Sequence, residues 1–306
     1  MSDQKRKKKK YETSLLNNKP LGYMMLIPAS LMILLISCYP LINGILLSFQ
    51  NYNLLKPKKQ GFAGLANYIK AFSDSEFWGV LGFTFFYTIC VVVMAYIVGM
   101  VLAMLLNRDI KGRGLFRALA LVPWIIPPAV AAVNWSWLFN DQVGLLNTLL
   151  KQLPWVNKSI LFVAEPQMAR FTVIWTSAWK SFPFMMITLL AGLQAIPGEL
   201  YEAAEIDGAS FVHRFRYITI PQLSSVSTVC TTLMFIWTFN NLENIYLLTR
   251  GGPNQSTFVL SILTYYTAFM RSDIGYASAI STILLVVLVI VMMFYVRVVD
   301  KQAQEV

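Results

Sequence analysis

Residues 201–221 read YEAAEIDGASFVHRFRYITIP and set Glu202, Glu205 and Asp207 close to His213, Arg214 and Arg216. Carboxylates beside an imidazole could exchange protons with a substrate, but acid–base work needs a pocket that drives their pKa values apart. A charged, solvated loop supplies little desolvation, so this stretch reads as an interaction surface and not as an active site. A second set lies on one helical face, where Thr172, Thr176 and Lys180 recur every four residues beside Trp175 and Trp179. A third comprises Asn240, Asn241 and Asn244, which are expected to share a helical face, next to Glu243. Hydroxyls and amides could hydrogen-bond a sugar, and tryptophan could stack on its C–H face. The same groups serve equally well to bond helix to helix, and tryptophan also populates membrane boundaries.

The elements around these residues belong to a bilayer. The chain has 306 residues, 57% hydrophobic and 13% charged, against about 45–50% and about 25% in ordinary soluble domains. Its net charge of +10 is spread between apolar runs, which excludes a basic nucleic-acid face. Cys38, Cys90 and Cys230 each lie within an apolar run and form no ligand spacing, and the single His213 excludes a multi-histidine metal site.

A helical span needs about 20 apolar residues. Six stretches qualify, at about 21–49, 77–106, 115–139, 167–194, 223–249 and 275–298. The opening MSDQKRKKKK resembles the start of a signal peptide, but the apolar run that follows is too long. It is read as an uncleaved first span behind a basic cytoplasmic tail over 1–20. Residues 21–306 form one transmembrane domain. With both termini inside, the inner segments hold 15 of the 25 Lys/Arg: seven in the tail, then Arg108, Lys111, Arg113, Arg117, Arg214, Arg216, Arg297 and Lys301. That asymmetry favours an N-in, C-in, all-α membrane protein of six transmembrane helices.

On this topology the charged stretch is cytoplasmic, within a loop at about 195–222. Pro197 suits the first turn of a helix, Ala203 and Ala204 favour its continuation, and Asp207-Gly208 breaks it. A second short helix carries Phe211, Phe215 and Ile218 on one side until Pro221 stops it. Pro123, Pro127 and Pro128 must kink or interrupt the third span, and polar groups or water must then satisfy the freed backbone. Lys180 would cost about 2.5–3.5 kcal/mol at a helix centre facing lipid, so it faces protein or water. It either lines a path or pairs with a carboxylate or with backbone carbonyls. Glu243 stands roughly two turns from it in depth.

Polar faces on several helices describe an aqueous route, yet the chain has no G-x-x-x-x-G-K-[ST] and so no nucleotide cradle of its own. G-x-S-x-G, H-E-x-x-H and C-x-x-C are absent too. The route is driven either by an ion gradient or by a separate ATPase docked on the inner helix-turn-helix.

The residues of that loop resemble a known family. Glu202-Ala203-Ala204, Gly208, Ile218 and Pro221 resemble the EAA…G…I-x-LP loop of bacterial ABC-importer permeases, with Ile220 in place of the usual leucine. YEAAEIDGAS, preceded by LAGLQAIPGEL (190–200), is most similar to the carbohydrate-uptake branch, which includes maltose, multiple-sugar and glycerol-3-phosphate permeases. GLANYIKAFSDSEFW (64–78), LTRGGPNQST (248–257) and GYASAIS (275–281) resemble that branch's first outer loop, last outer loop and final span.

The resemblance implies a heterodimer with a second permease subunit, two ABC ATPase subunits that bind ATP and Mg, and an extracellular solute-binding protein. It implies that Glu202 and the Asp207-Gly208 turn fix a helix in an ATPase cleft, and that Gly251, Gly252 and Pro253 lie near the binding protein. No cofactor is implied on this chain, and no nucleic acid. The rivals are a self-contained ion-coupled secondary transporter, which often shows internal repeats and intramembrane acids, and a membrane-embedded transferase. No repeat is evident, and Glu243 is the one acid within a span.

Overall fold

A computed structural model of the protein describes residues 19–154, 156 and 158–304; the basic cluster at positions 5–10 lies outside them. In a bilayer, helices satisfy every backbone N–H and C=O internally, and the apolar runs take that form. Helix α1 (Lys19–Ile33) passes through a π turn (Leu34–Cys38) into α2 (Tyr39–Ser48). A two-residue hairpin follows, β1 (Gln50–Asn51) paired antiparallel with β2 (Gly61–Phe62), and then α3 (Ala66–Ser73). The 32-residue α4 (Ser75–Leu106) starts at Asp74, whose carboxylate accepts the Glu76 N–H at 2.9 Å. At 1.5 Å per residue it is about 48 Å long, enough to cross the whole membrane.

The third apolar stretch divides. Helix α5 (Arg113–Ile125) and α6 (Pro128–Leu138) meet at 94°. Pro127 caps α6 and Pro128 occupies its first turn, so neither offers an N–H to continue α5. Among the described residues five continuous helices are thus long and apolar enough to span, and the bent pair, counted as one broken span, brings the number to six. Short α7 (Leu145–Leu150) leads to α8 (Pro166–Ala195), then α9 (Gly198–Ile206) and α10 (Phe211–Arg214). A second π turn (Phe215–Thr219) joins α10 to α11 (Ile220–Phe239). The remaining helices are α12 (Glu243–Thr249), α13 (Leu260–Tyr265) and α14 (Ile274–Gln304).

Two expectations for the fifth stretch need correction. Pro221 does not stop the helix after α10: residues Phe211–Phe239 run on as one span. The π turn immediately before it is the reason. Ile220 N–H bonds Phe215 O, five residues back, and this wider turn accommodates a proline that lacks an N–H and crowds the carbonyl four residues earlier. Pro40 likewise follows a π turn. Nor does the span reach residue 249, because it ends at Phe239. Asn241 Oδ1 accepts the Asn244 N–H at 3.2 Å, offering the chain a local alternative to helical bonding just before α12 begins.

The central pair is α4 against α8. At Gly99 a Cβ would stand 2.6 Å from Met185 Cβ and 2.9 Å from Met186 N, so only glycine permits this crossing. One apolar cluster, with Ala95, Met185, Leu189 and Leu223, fills the half of the bundle toward α9. A second, with Phe77, Tyr87, Val173 and Ile280, fills the opposite half.

Candidate functional site

At one end of the bundle, α9 and α10 form an elbow. Pro197 is the cap residue ahead of α9, not part of its first turn. At the other end of α9, Gly208 N–H bonds Glu205 O at 3.0 Å and Ala209 N–H bonds Ala204 O at 2.8 Å. These are the two bonds of a Schellman termination, with Asp207 as cap and Gly208 left-handed at φ +75°. Ser210 Oγ then accepts the His213 N–H at 3.3 Å and starts α10. Two side-chain pairs brace the arms: Arg214 to Glu205 at 2.9 Å, and Tyr201 Oη to Thr219 Oγ1 at 3.0 Å.

The elbow is held rigidly yet α9 buries none of its residues. Glu202, Ala203, Asp207 and Gly208 are exposed, Ala204, Ile218 and Pro221 partly so. Ile206 is 88% exposed, and Leu200, Phe211, Val212 and Tyr217 also present apolar surface there. Such a patch among charges marks an interaction surface.

Inside the bundle, Lys180 Nζ donates to Ile126 O at 2.6 Å and to Pro123 O at 3.5 Å. Those carbonyls close the C-terminal end of α5, where the break leaves them without helical donors and where the helix dipole favours a cation. Among the described residues no ion pair joins Lys180 to Glu243. Of the two structural pairings open to Lys180, the backbone one is present.

Thr176 is buried and turned into a network. Asn244 Nδ2 donates to Ser177 Oγ at 2.6 Å and to Thr176 Oγ1 at 3.2 Å, while Tyr87 Oη meets Ser177 Oγ at 2.7 Å. The network ties α4, α8 and α12 together.

The three asparagines do not share a face, because the helix breaks between them. Asn240 borders a cavity with Ser261 and Ser281, whereas Asn241 and Asn244 open on a separate pocket of 150 Å³. Lys180 and Ser181 line that pocket too, between Trp124 and Trp237. Phe184 packs against both indoles, at 6.2 and 5.0 Å between ring centroids.

Trp124 and Trp237, which the sequence does not single out, are the aromatic walls of this pocket, and Trp175 and Trp179 do not line it. Trp175 is exposed beside Phe171, and Trp179 packs edge-on against Trp135 at 5.3 Å. A four-residue step from Trp237 to Asn241 was the available signal, but it presupposes knowing that this edge faces inward.

At the opposite end from the elbow, Arg250 and Gly251 turn the chain left-handed after α12. Gly251 is buried against Phe258, whose ring a Cβ would strike, and Gly252 and Pro253 are half-buried. Asn254 and Gln255 form the exposed tip. Arg170 Nε holds the loop through Ser256 O at 2.8 Å. Close by on the same end, Lys70 pairs with Asp273 at 3.2 Å, fastening α3 to the start of α14.

A bundle of long apolar helices with a polar interior, a broken span and a braced exposed elbow is a multi-pass membrane transport component. The chain belongs to the family described as the binding-protein-dependent transport system inner membrane component, whose pattern matches residues 95–304. It is 36% identical over 278 residues to the trehalose/maltose transport system permease protein MalF of Thermococcus litoralis, covering 91% of this chain and 93% of that protein. It is 32% identical to the inner membrane ABC transporter permease protein YcjO of Escherichia coli, over 89% and 92% of the two chains. Its fold matches a crystal structure of a bacterial ABC transporter involved in the import of the acidic polysaccharide alginate, with a TM-score of 0.81 over 95% of this chain and 99% of that one, at 20% identity.

Proposed function

We propose that this chain is the transmembrane subunit of an ATP-driven importer of di- or oligosaccharides. It forms half of the translocation path beside a second permease subunit. Two ABC ATPase subunits, carrying ATP and Mg, engage the elbow at residues 198–221 on the cytoplasmic side. An external solute-binding protein delivers the cargo at the opposite end, where Gly251 to Pro253 shape the loop that it meets.

The observation that carries this reading is the elbow. Its geometry is over-determined by a Schellman turn, a cap, an ion pair and a hydroxyl pair, yet it leaves an apolar tip with nothing to bury it. Glu202, Ala203 and Ala204 lie on its first arm and Ile218 and Pro221 on its second. A push on α9 therefore passes through the brace to the span Phe211–Phe239. The carbohydrate cargo is supported by the trehalose/maltose relative and by the chemistry of the inner pocket, where indole faces stand beside amide and hydroxyl groups. At 150 Å³ the pocket is smaller than the roughly 300–1,000 Å³ of a complete small-molecule site, as expected of one wall of a path completed by another subunit.

Co-purification from the native membrane tests the proposal. A second permease and an ATPase should accompany the chain, and loaded binding protein should stimulate ATP hydrolysis. Recovery of the chain alone, inert toward ATP and still active in gradient-driven vesicles, would leave the ion-coupled transporter in its place.

A further inference from the structure

Beneath the elbow lies a cavity of 340 Å³, between the last turns of α4, the end of α8 and the arms formed by α9 and α10. Most of its lining is apolar, including Met104, Leu193 and Phe215, and its rim runs out onto the exposed side chains of Val101, Leu105 and Phe211. Two guanidinium groups, Arg108 and Arg214, line the same cavity. Arg214 gives one nitrogen to Glu205, and Arg108 has no ion pair among the described residues. Arg108 lies two residues past the end of the apolar α4, and Arg214 lies in the first turn of the span Phe211–Phe239, so both stand at helix ends, where a spanning helix meets the headgroups.

An occupant of this space must be apolar over most of its length, reach the cavity from the lipid-facing side, and carry negative charge where the arginines stand. A neutral lipid leaves Arg108 uncompensated and Arg214 with only its exposed Glu205 contact, and a small anion leaves the apolar lining uncovered. We propose that the cavity binds one anionic phospholipid, its phosphate between Arg108 and Arg214 and an acyl chain along Val101, Met104 and Leu105. The lipid then sits under the elbow and contacts both of its arms. Arginines at a membrane surface favour anionic headgroups, and a guanidinium suits a phosphate oxygen pair.

Native mass spectrometry of the full-length chain, extracted in mild detergent with equal phosphatidylglycerol and phosphatidylcholine, provides the test. The wild type should retain phosphatidylglycerol in preference. Arg108→Gln and Arg214→Gln should each weaken that retention about fivefold. Met104→Trp fills the cavity while leaving both arginines, and it should abolish the preference; Val101→Trp on the rim repeats the block if the first variant does not fold. Inorganic phosphate at equal concentration should not displace the lipid. Equal retention of both lipids, a preference that survives both fillers, or displacement by phosphate would each overturn the proposal. The first denies any anionic lipid site, the second reduces it to diffuse surface charge, and the third makes it a plain anion site.

Discussion

Lys180 Nζ lies 2.6 Å from the carbonyl oxygen of Ile126, a residue 54 positions earlier in the chain. This contact resolves two costs at once. A broken span exposes carbonyls that lipid cannot satisfy, and an intramembrane lysine needs a partner. Each supplies what the other lacks, and the lysine remains on the wall of the inner pocket.

Lys180→Met should therefore leave the α5 carbonyls unpaired and destabilise the chain by about 1–3 kcal/mol. Thermal unfolding in detergent should shift down, and amide exchange should rise around residues 122–127. Unchanged stability and exchange would remove the capping role; a change confined to which sugars are carried would assign the side chain to cargo instead.

At the elbow, Gly208 has open space around its missing Cβ but a φ of +75°. Backbone conformation, not crowding, sets its tolerance. Gly208→Asn, which enters the left-handed region readily, should retain most uptake. Gly208→Val should abolish uptake while the chain still inserts, since strain of about 1–3 kcal/mol falls on the turn itself. Uptake assays normalised to membrane-inserted chain separate the two, and equal uptake by both variants would dismiss a geometric role.

Ile206 is 88% exposed. Ile206→Asp should leave the melting temperature of the isolated subunit unchanged and yet prevent recovery of the ATPase in pull-downs. Retained ATPase binding would show that the apolar tip is not the docking surface.

The α4–α8 crossing makes a sharper stability test. Gly99→Val meets Met185 and the backbone of Met186, whereas Gly82 has nothing within 4 Å of the corresponding position. Gly99→Val should cost about 1–3 kcal/mol from overpacking, while Gly82→Ala should be close to neutral. Both are read from unfolding in detergent.

For the buried network, Tyr87→Phe and Asn244→Leu each remove one arm of the bonds to Ser177. Helix–helix hydrogen bonds in membranes contribute about 0.6 kcal/mol on average. A double-mutant cycle should return a coupling of that order, and strict additivity would show that Ser177 does not connect them.

Features written in neighbouring residues are legible in the sequence. Long apolar runs have one economical conformation in lipid, prolines at 123, 127 and 128 cannot continue a helix, and Ala-Ala followed by Asp207-Gly208 specifies its own termination. The elbow and the broken span follow from those local rules. Pro221 misled because the sequence carries no sign of the π turn that absorbs it.

The inner site was different, since its meaning depends on which residues distant in sequence arrive beside each other. Thr176 and Lys180 share a helical face, yet one is buried against Asn244 and the other reaches Ile126. Asn240 and Asn241 are adjacent, yet a helix break sends them to different cavities. Periodicity along one helix identifies a polar face. Only the packing of α4, α5, α8, α11 and α12 decides which of its groups meet a neighbour and which remain open to a cavity, because those partners lie tens of residues away and nothing local encodes the distance.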